Sequence, residues 1–414
     1  MNLFLIFICA FPFLLWSLMG GNKQEVFGFS SDHFVTMYTF FSCSILGGYL
    51  FFKKNITLNK IHVLLFLLTV CYLSVIIGAY WPKATMPAIT HGVYIIIAIF
   101  FIYIFRMNPV LLSYMLAACL FLVSLFLIIK LHQIGFGDWE RLTFPVFSNG
   151  SWAYFPNGYG SSSDPNVLSF MLCAGSVYIF FTLPNKRLVN VIFPLSMACS
   201  FLTFSRSSFL SFIAALLVVN LYSFFKTKKI QVRLVVLFII SLVLSFFLMK
   251  TVQALAAYNI HKNEYLPNAA ELNVTAPNVT DPNLAVRIYS HENIGDRIAR
   301  LKAALIELTN LKTLFIGKGL GYSASTQDPH NFYLSTAVDS GVFILAILIT
   351  FLTRPLFVFL KLSTNDNLKI GCIFLTTYYL SISLFYWQVR VLYFFIVLLF
   401  TLLNLNRSAS NEVK

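Results

Sequence analysis

Long apolar runs, separated by short polar segments, dominate this sequence. The runs are continuous and do not alternate between apolar and polar residues, so they predict helices and not the strands of a membrane barrel. A helix needs about 17–25 apolar residues to cross a bilayer. By that length the pattern predicts twelve spans, at 2–20, 33–52, 61–81, 87–105, 109–130, 165–183, 188–204, 207–225, 232–250, 331–353, 369–387 and 391–406. We therefore expect an all-α fold, a polytopic membrane bundle of about twelve transmembrane helices that forms one domain over residues 1–414.

Two predicted connections are long, and both fall on the same side of the predicted bundle. The first, 132–164, is crowded with aromatic residues among glycines and serines. These aromatics are consistent with a belt at the membrane interface and equally with a platform on which sugar rings stack. The second, 251–330, is the only segment with a composition typical of soluble proteins.

The second long connection contains a predicted amphipathic helix over 296–310 that would lie on the bundle. Its apolar residues recur at helical spacing, at Ile298, Leu301, Leu305 and Leu308. Arg297 and Arg300 are three residues apart, so they project in similar directions near the start of this helix. They are candidates to bind an anion together; the alternative is a surface pair of Asp296 with Arg300 beside a solvated arginine.

Composition and charge support a membrane protein and indicate its orientation. Hydrophobic residues make up 58% of the chain and charged residues 11%, whereas about a quarter of a soluble domain is charged. The net charge is +14, and its surplus lies in the short loops on one side, which the positive-inside rule makes cytoplasmic together with both termini. The basic character is thus a topology signal and gives no reason to invoke nucleic acid. The first apolar run lacks a preceding basic residue, so we expect a retained helix and no signal peptide.

The seven cysteines all fall within apolar runs. We therefore expect buried small side chains and no framework of disulfides.

Two arginines lie in tight turns on the predicted outer side, where the positive-inside rule does not favour positive charge. Arg206 follows a span almost directly, and Arg390 occupies most of the turn before the last span. An arginine near membrane depth costs a few kcal/mol and usually faces a polar cavity or a partner. Its planar fork of donors suits a phosphate or diphosphate. Snorkelling to the interface is the alternative; it explains Arg390 equally well, whereas the serines that flank Arg206 favour a functional role there.

The stretch from Gly317 to Gly341 is the only place where small, polar and ionisable residues run directly into a membrane-length apolar span. Pro329 disfavours a helical conformation at Asp328 and suits a helix about to begin. His330 is thus predicted at the mouth of the tenth span. A histidine there can act as a base near neutral pH or serve as an amphipathic interface anchor.

Several short motifs together resemble the O-antigen polymerase and O-antigen ligase superfamily of bacterial envelopes. They are TFSRSSFL at 203–210, GDR at 295–297, IGKGLG at 316–321, HNFYL at 330–334 and DSG at 339–341, with DPN at 164–166 as a weaker element. The motifs cover about residues 164–345, and their order and predicted side of the membrane agree with the family.

The resemblance implies a metal-independent glycosyltransferase without a cofactor, in the bacterial inner membrane, whose active site faces the periplasm. The donor would be a glycan on undecaprenyl diphosphate, and in a polymerase the acceptor would be a second undecaprenyl-diphosphate-linked repeat. Carried over by motif, Arg206 and Arg297 would hold the donor diphosphate and His330 would bind or deprotonate the acceptor hydroxyl. Further substrate-binding residues would be Arg300, Arg390, Asn331, Asn166, Lys318 and Tyr333. Membrane lipid and a chain-length regulator protein are the implied partners.

The residues are compatible with that chemistry, because arginines can stabilise a departing diphosphate where no Asp-x-Asp motif offers a metal site. Two alternatives remain. A ligase would transfer the glycan to lipid A-core and shares the same motifs. A transporter of lipid-linked oligosaccharides would instead predict ionisable residues in mid-span and a repeat that relates two halves of the chain.

Overall fold

The structure is a computed structural model that consists mainly of helices. It describes residues 10–12, 14–15, 25–26, 29–30, 38–42, 45, 85–107, 109–134, 142–148, 151–156, 165–203, 205–264, 291–326, 329, 331–362, 365–384 and 389–412. Its helices are α1 (Thr85–Met107), α2 (Pro109–Ile134), α3 (Pro165–Thr182), α4 (Lys186–Phe201), α5 (Arg206–Thr227), α6 (Val232–Glu264), α7 (His291–Glu307), α8 (Leu311–Ile316), α9 (Tyr322–Thr326), α10 (Phe332–Leu362), α11 (Asp366–Ile382) and α12 (Val389–Glu412).

Every predicted span from residue 87 onward overlaps one of these helices, which confirms a helix in each. The spans predicted at 188–204 and 369–387 run past helices that end at Phe201 and Ile382. Within the described part, the segments 110–129, 207–226 and 332–361 are long and apolar enough to cross a membrane. Shorter apolar stretches lie at 90–102, 167–182, 232–248 and 391–403. The helices therefore have the character of a membrane bundle. The predicted spans 2–20, 33–52 and 61–81 lie mostly outside the described residues.

The described fold is helical in class, as predicted, and two short hairpins accompany the helices. Strands β1 (Glu25–Val26) and β2 (Phe29–Ser30) pair antiparallel, as do β3 (Leu142–Ser148) and β4 (Ser151–Pro156). The second hairpin lies in the first long connection. Alternating apolar residues on both sides of Asn149-Gly150 are the usual signal for such a hairpin, and the aromatic composition alone obscured it.

Tightly packed aromatic side chains form the core between α3, α5, α11 and α12. Tyr378 of α11 stacks on Phe170 of α3, with ring centroids 5.2 Å apart, and Tyr379 stacks on Phe395 of α12 at 4.3 Å. These rings are buried. The described cysteines Cys119, Cys173, Cys199 and Cys372 are free and buried, as predicted.

One end of the bundle is held by charged residues of its loops. Lys226 at the end of α5 pairs with Asp366 at the start of α11. Arg233 of α6 donates to Asn190 Oδ1 (2.8 Å) and to the Lys186 carbonyl (3.2 Å). Burial and the positive charge of Arg233 lower the pKa of Lys186. These loops belong to the set that charge assigned to one side, so the structure brings them together at a common end.

The opposite end gathers the turn before α5, the start of α10 and the end of α11. The Ser208 hydroxyl, in the first turn of α5, bonds the Tyr378 hydroxyl of α11. The Phe332 N–H, at the start of α10, donates to the Ser383 carbonyl just after α11 (2.9 Å). Since a helix rises about 1.5 Å per residue, Arg206 and Asn331 lie within about two helical turns of each other along the bundle axis.

The amphipathic helix of the second long connection exists with shifted bounds. It runs over His291–Glu307, not 296–310, because Asn310 caps α8 by accepting from the Lys312 N–H. The helix lies on the bundle, as expected, and buries Ala304, while the predicted apolar residues Ile298 and Leu305 remain 47% and 54% exposed. Leu301 and Leu308 are half-buried, so only part of its apolar surface packs on the protein.

Candidate functional site

The stretch from Gly317 to Gly341 folds into one compact unit around a break in α10. Gly341 has φ 82° and ψ 163°, so α10 consists of residues 332–340 and a second segment that runs from 342 to its end. The second segment is about 30 Å long and can cross the hydrocarbon core by itself. Residues 335–340 of the first segment are buried. The polar motif therefore sits on a short buried helix that precedes a full-length span.

A glycine-rich loop covers the break and supplies hydrogen bonds to its free carbonyl groups. An uninterrupted helix would pair the carbonyls of Val338 and Asp339 with amides four residues later. Here the Lys318 N–H donates to the Val338 carbonyl (2.8 Å) and the Gly319 N–H to the Asp339 carbonyl (2.9 Å). Irregular backbone at membrane depth is stable only when the protein satisfies its polar groups, and the loop does so.

Glycine is required where the loop and the break touch. Gly317 has φ 85°, and a Cβ there would collide with the Asp339 carbonyl; a Cβ at Gly341 would collide with the Phe315 carbonyl. Both positions combine a left-handed backbone with direct contact between two backbones, which only glycine permits. We call residues 317–323 together with 338–341 the glycine clasp.

The Asp339 side chain holds the loop of the glycine clasp on α10. Its carboxylate accepts from the Gly321 N–H (Oδ2, 3.0 Å) and from the Ser323 N–H (Oδ1, 2.8 Å). Asp339 is only 5% exposed. A buried carboxylate is costly unless it is hydrogen-bonded, and these two backbone donors compensate both of its oxygens.

Lys318 is bound to the end of α7 by an ion pair. Its Nζ lies 2.8 Å from Glu307 Oε2 and 5.2 Å from the centre of the Tyr322 ring. The Tyr322 hydroxyl donates to the other Glu307 oxygen (3.2 Å). The hydrogen bond and charge of Lys318 lower the pKa of Glu307, and the carboxylate in turn raises the pKa of Lys318. The predicted substrate contact of Lys318 remains a prediction, but its ammonium group already has a partner within the protein.

Asn331 and Tyr333 anchor the start of α10 on α11. Asn331 Oδ1 accepts from the Leu334 N–H (3.0 Å), which makes Asn331 the N-cap, and its Nδ2 donates to the Leu384 carbonyl (3.0 Å). The Tyr333 hydroxyl donates to the Leu380 carbonyl (2.9 Å). A helix beginning after Pro329 is confirmed. His330 lies outside the described residues, directly before this cap.

The turn that carries Arg206 rests on a network of buried neutral groups. Ser205 is the N-cap of α5 and accepts from the Ser208 N–H (3.3 Å). From Ser208 the network continues through the Tyr378 hydroxyl and the Cys173 thiol to the hydroxyl groups of Ser200 and Ser169. These side chains are all buried and come from α3, α4, α5 and α11. Arg206 is the first residue of α5, and its side chain lies outside the described part.

The other predicted site residues lie on α7, α12 and α3. Arg297 and Arg300 belong to α7, which packs against α10; Arg300 is half-buried. Arg390 is the second residue of α12 and Asn166 the second of α3. The side chains of Arg297, Arg390 and Asn166 lie outside the described part. Among the residues that the structure describes, no three histidine, cysteine or acidic side chains lie together as a metal site would need.

Sequence reasoning did not assign a role to Asp339, Glu307 or Tyr378. In the sequence, only the four glycines at 317, 319, 321 and 341 could have indicated the clasp. Glycines spaced this way suggest positive φ angles. All four have φ between 79° and 114°. Nothing in the sequence indicated that Glu307 would pair with Lys318, or Tyr378 with Ser208.

No protein-family model matches this chain, and no curated protein sequence is significantly similar to it.

Proposed function

We propose that this protein is an O-antigen polymerase: a twelve-span glycosyltransferase of the bacterial inner membrane with both termini in the cytoplasm. It would transfer the growing glycan from undecaprenyl diphosphate to an undecaprenyl-diphosphate-linked repeat unit at the periplasmic face, without a metal. The proposal starts from the resemblance of the motifs between residues 164 and 345.

The observation that carries the proposal is the convergence of separate motifs at one end of the bundle. Near its end, α11 contacts the start of α5, which carries Arg206, and the start of α10, beside His330. The helix α12, which carries Arg390, begins at Val389, soon after α11 ends at Ile382. The charged loops lie at the opposite end. A two-substrate reaction at one membrane face needs such an arrangement, since the donor phosphates and the acceptor hydroxyl must meet there.

The proposed roles follow from the chemistry of the groups. Breaking a sugar C1–O bond to a diphosphate develops negative charge on the leaving group, which Arg206 and Arg297 would stabilise. His330 would accept the proton of the attacking hydroxyl. Because Asn331 and Tyr333 fix the start of α10, His330 would be held in one place relative to α11.

A lipopolysaccharide gel of a strain that lacks this protein tests the proposal against the ligase alternative. Loss of a polymerase leaves core carrying a single repeat, whereas loss of a ligase leaves bare core. An unchanged ladder of long chains would contradict both assignments.

Variants of His330 test the proposed site directly. We expect both His330→Ala and His330→Tyr to abolish long chains at normal protein abundance, because positioned proton transfer typically contributes about 10²–10⁴-fold. An interface anchor would tolerate tyrosine, since its amphipathic character is similar. Long chains in a well-expressed His330→Tyr strain would therefore contradict the acceptor role.

A further inference from the structure

The end of α7 is joined to the loop of the glycine clasp through a single carboxylate. Glu307, the last residue of α7, uses both oxygens: Oε2 pairs with Lys318 Nζ at 2.8 Å and Oε1 accepts from the Tyr322 hydroxyl at 3.2 Å. Lys318 and Tyr322 lie on either side of Gly319 and Gly321, so their two contacts span the loop.

Short hydrogen bonds join this loop directly to α10. Four backbone N–H groups, of residues 318, 319, 321 and 323, donate to the Val338 carbonyl and to the backbone and side chain of Asp339, at 2.8–3.0 Å. Each contact involves backbone on at least one side, so the loop cannot shift along α10 without losing several hydrogen bonds together. The contacts thus form an unbroken path from α7 to α10.

The short helix 332–340 is held at both of its ends. The clasp holds its C-terminal end, and the bonds from Phe332 and Asn331 to the carbonyls of Ser383 and Leu384 hold its N-terminal end. The helix is about 13 Å long. Fixing α7 to one end therefore also fixes α7 relative to Asn331, the cap at the other end.

We propose that Lys318, Glu307 and Asp339 are positioning residues that fix α7, which carries Arg297, relative to the helix that begins beside His330. This inference rests on the proposed function, because it assigns the leaving-group arginine to α7 and the acceptor base to the start of α10. A displacement of about 1 Å between such groups can lower turnover by about 10²-fold. Lys318 would act through Glu307 and not by contact with substrate.

Reversal of the ion pair separates this role from a direct substrate contact. Lys318→Glu and Glu307→Lys each place like charges together and should lower kcat at least about 10-fold, with a small change in KM for the lipid-linked donor. The double variant restores the pair, and the Tyr322 hydroxyl can accept from the new lysine as it now donates to glutamate. Most of the activity should therefore return.

The matched control is Lys302→Glu, a charge reversal at an exposed position of the same helix, which should leave kcat and KM unchanged. A double variant no more active than Lys318→Glu would overturn the proposal and support a direct substrate contact. Single variants with wild-type kcat would also overturn it.

A distance measurement tests the linkage independently of activity. Nitroxide side chains introduced as genetically encoded amino acids at Ile298 and Leu384, which are 47% and 51% exposed, report the separation of α7 from the end of α11. We expect a narrow distance distribution in the wild-type background, a broad or shifted one in Glu307→Lys, and recovery in the double variant. An unchanged distribution in Glu307→Lys would overturn the linkage. If purified wild-type protein transfers no glycan while the distances behave as expected, the proposed function fails and the linkage stands.

Discussion

Two regions that the predicted site depends on, the turn with Arg206 and the glycine clasp, are built in opposite ways. The turn before α5, with Arg206, rests on neutral hydroxyl and thiol groups contributed by four helices. The glycine clasp, at the C-terminal end of the short helix 332–340, rests on contacts between backbones and on two carboxylates. In the first region a hydroxyl that loses one hydrogen-bond partner can keep another. In the second region each key contact is made by one residue that no neighbour can replace.

This difference predicts how each region responds to substitutions. In the buried network most hydroxyls have more than one partner: Ser200 bonds both Ser169 and Cys173, and Ser208 bonds both Cys173 and Tyr378. Removal of one group should therefore leave the others partly satisfied. In the clasp, Gly341 and Asp339 each perform a task that no neighbouring residue can take over. Changes in the clasp should cost more, and the clasp should also respond to pH.

The largest effect is expected at the helix break. Gly341→Ala would force a Cβ into the Phe315 carbonyl at a φ of 82°, at a cost of at least about 3 kcal/mol. We expect loss of folded protein, measured as abundance and as Tm in detergent. The control is Gly92→Ala in α1, where nothing lies within 4 Å of the added Cβ; it should be neutral or stabilising by up to about 1 kcal/mol. Normal abundance of Gly341→Ala would refute the steric argument.

The next largest effect is expected at the carboxylate that fastens the clasp. Asp339→Asn keeps the shape, but its amide NH₂ group would face one of the two N–H donors, so one hydrogen bond is lost inside the protein. The expected cost is about 1–3 kcal/mol, seen as a lower Tm. Asp366→Asn, whose side chain is 50% exposed in its pairs with Lys226 and Lys369, should cost less than about 1 kcal/mol. Equal losses of Tm in Asp339→Asn and Asp366→Asn would contradict the expected difference between a buried and an exposed carboxylate.

A smaller effect is expected in the buried network. Tyr378→Phe removes one hydroxyl from Ser208, which keeps its contact with Cys173, so we expect a loss of about 1 kcal/mol. Ser208→Ala with Tyr378→Phe removes both partners of the same bond and should cost less than the sum of the single changes. Additive losses of Tm would mean that the two hydroxyls stabilise the bundle separately.

The smallest effect is the pH response of the pair between α7 and the clasp. Lys318 lowers the pKa of Glu307, so the pair contributes stability above the ordinary pKa of glutamate, and this contribution is lost as pH falls through the lowered pKa. For a partly exposed pair we expect less than about 1 kcal/mol. The Tm of wild type should therefore fall more steeply in acid than that of Glu307→Gln. Parallel curves would show that the pair adds no stability.

The sequence by itself determined which segments are helical and where several of them begin. Continuous apolar runs predicted α1 at 87–105 and α3 at 165–183, close to Thr85–Met107 and Pro165–Thr182, because the length and hydropathy of a span are local properties. Pro329 predicted the start of α10 for an equally local reason. The prediction for α7 shifted by several residues, since its end depends on whether Asn310 caps the following helix.

Only the tertiary structure decided which polar groups meet. Tyr378 and Ser208 are 170 residues apart in the chain, and no local pattern links them. Lys318 was predicted to contact substrate on the strength of its motif, yet its ammonium group pairs with Glu307, a residue that the amphipathic pattern left unassigned. The four glycines indicated unusual backbone, but the contact of Gly317 with Asp339 and of Gly341 with Phe315 arises only when the loop packs on the break in α10. Helices follow from local energetics, whereas partners follow from the packing that brings distant segments together.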